Sequence, residues 1–140
     1  MAGFTKFNSF VEAVAEKAHN LGSDTLKVLL TNTAPIATNA VKADLTEIDA
    51  GNGYTAGGNQ ASQSASAQTS GTYKLTLADP ATWTASGGTI GPFRYAVLYN
   101  DTASNKELIG FWDYGSSITL AAGETFTADM DATNGVLTIA

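Results

Sequence analysis

The 140-residue chain has no cysteine, one histidine, one arginine and three prolines, and only 14% of it is charged. Without cysteine there are no disulfides, thiolate nucleophiles or Cys-based zinc sites, so the fold rests on its own core. One imidazole excludes a His-rich transition-metal site within a single chain. Seven Lys and Arg are scattered without a run and the net charge is −6. Phosphate binding requires clustered cations, so no nucleic-acid partner is expected. No apolar stretch approaches the ~20 residues of a membrane span, so no membrane is expected either. The first residues lack the basic start, apolar core and cleavage site of a secretory signal, which predicts a soluble protein made in the cytoplasm.

Ser, Thr, Asn, Ala and Gly stand where cytosolic surfaces usually carry Lys and Glu. Such a surface is compatible with packing against other protein. At this length the chain is a single domain, 1–140, large enough to bury a core without staples. Its second half alternates short apolar runs with turn residues. Tyr73-Lys74-Leu75-Thr76-Leu77, the seven residues from Phe93 to Tyr99, Leu108-Ile109-Gly110-Phe111-Trp112, Glu124-Thr125-Phe126-Thr127-Ala128 and Val136-Leu137-Thr138-Ile139 are β-branched, aromatic or leucine-rich and bounded by Gly, Asn, Asp or Pro. That pattern predicts an all-β, mainly antiparallel sandwich or barrel over residues 25–140. Leu26-Lys27-Val28-Leu29-Leu30 is apolar on one face and nearly so on the other, as a central strand would be. Asn134-Gly135 predicts a type I′ hairpin joining the Phe126 strand to the last one.

Phe7, Phe10, Val11, Val14, Ala18 and Leu21 recur at helical spacing, which predicts one N-terminal α-helix over residues 7–20 with its apolar stripe on the sheet. Ser9 and Glu12 have capping-box spacing, and Gly22 would supply the left-handed stop. Residues 44–48 suit one helical turn, and 51–58 form a glycine loop. Residues 60–70, nearly all Ala, Ser and Gln, read as a linker or as an edge strand lying against a neighbouring chain, with the strand favoured.

Candidates for chemistry are few. His19, expected in the last helical turn, is suited to the helix dipole and has no sequence-adjacent orienter or nucleophile. Asp129 and Asp131 resemble the start of a calcium loop, but Gly135 falls one position late and no glutamate follows at the twelfth. The glycine loop lacks the lysine of a phosphate cradle. Asp113, Glu107 and Glu124 offer carboxylates without a pairing pattern. No cofactor, no metal and no catalytic turnover are expected. Tyr95, Tyr99, Trp112 and Tyr114, on neighbouring strands, form either a sugar-binding face or core.

The runs Phe7-Asn8-Ser9-Phe10-Val11-Glu12, Leu26 to Asn32, Gly51-Asn52-Gly53-Tyr54, Phe93 to Asp101 and Gly115 to Phe126 together resemble small virion proteins of tailed bacteriophages, nearly end to end. The same features recur in capsid cement (decoration) proteins and in tail-fibre components. The resemblance implies a jelly-roll-like β-sandwich on the outer capsid surface of the virion, with the major capsid protein as partner and self-association as a homodimer or, alternatively, a trimer. A tail-fibre domain binding host surface carbohydrate is the alternative; the absence of shaft repeats favours cement. Tyr54, Ala61, Ser62, Ser64, Ala65, Ser66 and Arg94 are the candidate interface residues.

Overall fold

The computed structural model describes residues 2–140. It is built from strands β1 (Phe4–Lys6), β2 (Leu26–Thr31), β3 (Asn59–Gln60), β4 (Gln63–Thr69), β5 (Thr72–Leu77), β6 (Trp83–Thr84), β7 (Ile90–Asn100), β8 (Leu108–Leu120), β9 (Thr125–Phe126) and β10 (Leu137–Ile139), with one helix, α1 (Phe10–Ala15). All pairings are antiparallel. The sheets are β1-β8-β7-β2-β3, β10-β5-β4 and β6-β9. The antiparallel all-β expectation is met. A jelly roll has eight strands in two sheets; the strands here pair as five, three and two.

The five-stranded sheet buries apolar side chains on both faces. Leu26, Val28, Leu30, Ala96, Leu98 and Trp112 join the main core with Leu75, Leu77 and Trp83 from the smaller sheets and Met130 from the segment between β9 and β10. Leu29, Val97, Tyr99, Leu108 and the partly buried Phe111 alternate onto the opposite face, where Phe7 and Leu45 pack against them. Period-two alternation with both faces apolar is what a strand buried on two sides requires, and β2 is indeed interior to its sheet.

The helix is shorter than its periodicity predicts. Phe7 packs on one face of the five-stranded sheet and Phe10 on the other, so a single helical stripe cannot carry both. Residues 4–6 instead form β1, paired with β8, and Phe7 N–H continues toward that strand by donating to Ile109 O. A Schellman motif stops α1 early: Ala18 N–H donates to Ala13 O and Lys17 N–H to Val14 O, with Lys17 itself at φ 69°. The left-handed residue is thus a lysine one turn before Gly22, which has no positive φ, and Val11 is exposed. Ser9 caps α1 without a side-chain hydrogen bond. The helical turn expected at 44–48 is a 3₁₀ turn at Lys42–Asp44.

The tight turns also differ. Within residues 60–70, Gln60 ends β3 and Gln63–Thr69 form β4, and Ser70 and Gly71, both at positive φ, join β4 to β5 through the Thr69–Thr72 pair. Asn52 and Gly53, also both at positive φ, close a second two-residue turn between Gly51 and Tyr54. These have the backbone that a type I′ turn needs. Asn134-Gly135 does not join neighbouring strands: β9 pairs with β6 and β10 with β5. Asp131 decides this locally, accepting the N–H groups of Thr133 and Asn134, while Gly135 N–H returns to Asp131 O.

Candidate functional site

The most exposed element is the arm formed by β4 and the start of β5. β4 is an edge strand, and every residue of it after Gln63 is exposed. Residues 59–72 contain no charge and no proline, two of the devices that ordinarily keep edge strands from pairing with other chains. Its root is tied down. The Gln63 side-chain amide donates to Leu21 O at 2.9 Å and Asp24 O at 2.7 Å, and Ser64 Oγ donates to Thr76 O at 3.2 Å. Farther out, Ser66 Oγ and Tyr73 Oη lie 2.8 Å apart, and Gln68 Oε1 accepts Gly71 N–H. A bulge between Gln63 and Ala65 sits at the root and leaves the outer strand regular.

Ser62, Ser64, Ala65 and Ser66 lie on or beside this exposed edge. Ala61 and Tyr54 do not: Ala61 is fully buried and Tyr54 is 3% exposed, which removes both from the contact surface. The Tyr54 hydroxyl instead accepts Leu30 N–H at 3.0 Å and donates to Glu47 Oε2 at 2.6 Å. Burial and then that carboxylate push its pKa above the ordinary tyrosine value. Arg94 stands on β7, in a different sheet from β4. It forms a two-pronged pair with Asp113 at 2.8 and 3.1 Å, and its guanidinium lies over the Tyr95 ring. The Arg94 bond, with help from Gly115 N–H, holds the Asp113 carboxyl below its usual pKa. Both side chains remain about two-fifths exposed, at 38% and 42%.

Tyr95, Tyr99 and Trp112 are buried, so they build core and form no open sugar platform. Tyr114 is half-buried against Phe126; burial, then Asp129 and Asp79, push its pKa up to about 12. Among the carboxylates, Glu124 Oε1 accepts Ala121 N–H, and Asp131 is used by its own turn. Among the described residues no group of three His, Asp or Glu side chains is placed to hold a metal ion.

His19 lies beyond the helix, not in its last turn. It lines an open cleft of about 730 Å³ bounded by the segment after α1, the β4 arm and the loop after β7. Its Nδ1 is 3.0 Å from Asn100 Nδ2, and the same amide donates to Asp24 Oδ2 at 2.7 Å. Asn100 Oδ1 accepts the N–H groups of Thr102 and Ala103. Burial lowers the His19 pKa, opposed in part by Glu107 and Asp24. Asn100, Glu107 and Tyr73 are far from His19 in sequence and carry no local motif that would join them to it. Compared with protein-family models, with curated proteins and with solved structures, the chain has no match.

Proposed function

We propose that this chain is a structural protein of a tailed-bacteriophage virion, a capsid cement protein that binds the outer surface of the assembled head and ties neighbouring major capsid subunits together. The observation that carries the reading is the β4 arm. β4 is the outermost strand of its sheet and is exposed after Gln63, and an uncharged edge of small residues is open to strand addition by another chain. The partners are the major capsid protein and a second copy of this chain, with two-fold closure as the simplest symmetry. The role needs no turnover and no cofactor.

Such an edge offers few of the aromatic and arginine anchors that concentrate binding energy. Affinity then comes from several weak contacts made together, which an expanded lattice presents at fixed spacing and a free subunit does not. Purified chain mixed with stripped mature heads, precursor heads and isolated capsid subunits should bind saturably to mature heads alone. Equal binding to isolated subunits would overturn the reading. Ala65→Lys with Ala67→Lys, both on the exposed edge, should abolish attachment while leaving the melting temperature close to that of the parent.

A further inference from the structure

We infer that the cleft holding His19 is a binding site for a neutral, hydroxyl-rich ligand of saccharide type, gripped between His19 Nε2–H as donor and the Glu107 carboxylate as acceptor. The inference begins with the orientation of Asn100. Its Oδ1 is committed to two backbone N–H groups, so its Nδ2 faces His19 and Asp24. An amide nitrogen only donates, so His19 Nδ1 must accept, and the ring proton sits on Nε2. His19 is 7% exposed, and its Nε2 has no hydrogen-bond partner. Glu107 Oε2, on a second residue lining the same cleft, is also buried without a partner, and the two atoms do not pair with each other. Buried polar groups are ordinarily satisfied, and each exception calls for a reason.

An unpartnered donor and an unpartnered acceptor on two residues that line one cleft select for a group that both accepts and donates. A hydroxyl does both through one atom. A cation could not accept from Nε2–H, and an anion would be repelled by Glu107 and Asp24. The rest of the lining suits a polyhydroxyl compound: Asn20, Ser66, Thr102 and Ser104 offer neutral polar groups, and the half-buried Tyr73 offers a ring face. The volume of about 730 Å³ lies within the range of ligand pockets. His19 Nε2 and Glu107 Oε2 are closed to solvent in the free structure, so binding requires both side chains to turn these atoms toward the cleft. The site does not depend on the attachment role proposed above, and the Lys substitutions on β4 leave His19 and Glu107 untouched.

Because His19 is the sole histidine, its ring nitrogens give an unambiguous spectroscopic signal. Long-range ¹H–¹⁵N spectra of the full chain should show the Nε2–H tautomer. Titration with glucose, galactose and N-acetylglucosamine should move the Nε2 resonance saturably for at least one sugar, with Kd on the order of 1 mM for a ligand of that size. Contacts from that sugar to the Tyr73 ring protons should appear in the same sample. Glu107→Gln, which exchanges a charged acceptor for a neutral one, should weaken binding about tenfold. The opposite tautomer, no saturable movement with any sugar, or a sugar response unchanged in a folded Glu107→Gln variant would each overturn the proposal. A response to acetamide and not to sugars would also overturn it, in favour of a protein side-chain amide as the occupant.

Discussion

Replacing Tyr54 with Phe separates a core tyrosine from a contact tyrosine. β2 is paired along its whole length with β7 on one side, but β3 covers only Lys27 and Val28 on the other. Beyond Val28 the loops take over, with Ile48 N–H donating to Leu30 O and Leu30 N–H donating to the Tyr54 hydroxyl. Removing that hydroxyl leaves the Leu30 N–H buried without a partner, at a cost of ~1–3 kcal/mol. It also removes the bond to the Glu47 carboxylate, and a hydrogen bond to a charged group contributes ~1.5–3 kcal/mol. Part of this is recovered, because Glu47 keeps Gly57 N–H at 2.6 Å and Lys42 Nζ at 3.2 Å. The net expectation is a loss of about 2–4 kcal/mol. For a chain of this size that corresponds to a melting temperature lowered by roughly 5–15 °C. Urea unfolding should show a lower midpoint at unchanged slope. A loss below ~1 kcal/mol, accompanied by failure to attach to heads, would refute the placement of Tyr54 and return it to the interface.

Two alanine substitutions at similar backbone angles should diverge. At Gly58, φ +76°, a Cβ would lie 1.8 Å from Val28 O, whereas at Gly87, φ +77°, nothing lies within 4 Å. Gly87→Ala should cost ~1–2 kcal/mol for the left-handed backbone alone, while Gly58→Ala should exceed ~4 kcal/mol and prevent recovery of folded protein; equal melting temperatures would contradict the packing of that loop on β2. Burial holds the folded His19 pKa below 6.5 despite Glu107 and Asp24, so the unfolded chain takes up the proton first. Its contribution to stability is full above pH 6.5 and is lost as the pH falls through the folded value. NMR titration of the single imidazole should give a midpoint below 6.5, and a midpoint above it would reverse the sign. Asp113, held down by Arg94, and Asp131, held down by the N–H of Asn134, contribute above the ordinary 3.8 and lose that contribution as the pH falls further. A second decline in melting temperature should therefore begin at about pH 4.

Much of the architecture is legible before any coordinates. β2, most of β7 and the first part of β8 coincide with apolar runs, because a strand buried on two faces needs apolar side chains at nearly every position; β8 continues past Trp112 to Leu120 through mostly exposed residues that carry no such signal. Most of residues 60–70 form strand, chiefly as β4, despite their low complexity, since alternating small side chains suit an edge. The candidate site is legible only in part. Ser62, Ser64, Ala65 and Ser66 are on the surface as a polar, uncharged edge should be. Tyr54 and Ala61 are not, because a glycine-loop tyrosine carries no local signal that distinguishes an outward ring from one folded back onto β2.

The sequence by itself determined which segments seek burial, that they do so as antiparallel strands, and that the chain has neither cysteine nor a cluster of histidines. Tertiary structure alone decided the partners. It sent Phe7 and Phe10 to opposite faces of one sheet, which ends the helical pattern that their spacing suggests. It paired β10 with β5 in place of β9, and it brought His19 to Asn100 across 81 positions. Periodicity records that a side chain leaves water, a property of its own few neighbours in the chain. The surface it meets is chosen by packing between segments far apart in sequence, where shape, register and the satisfaction of buried polar groups are settled together.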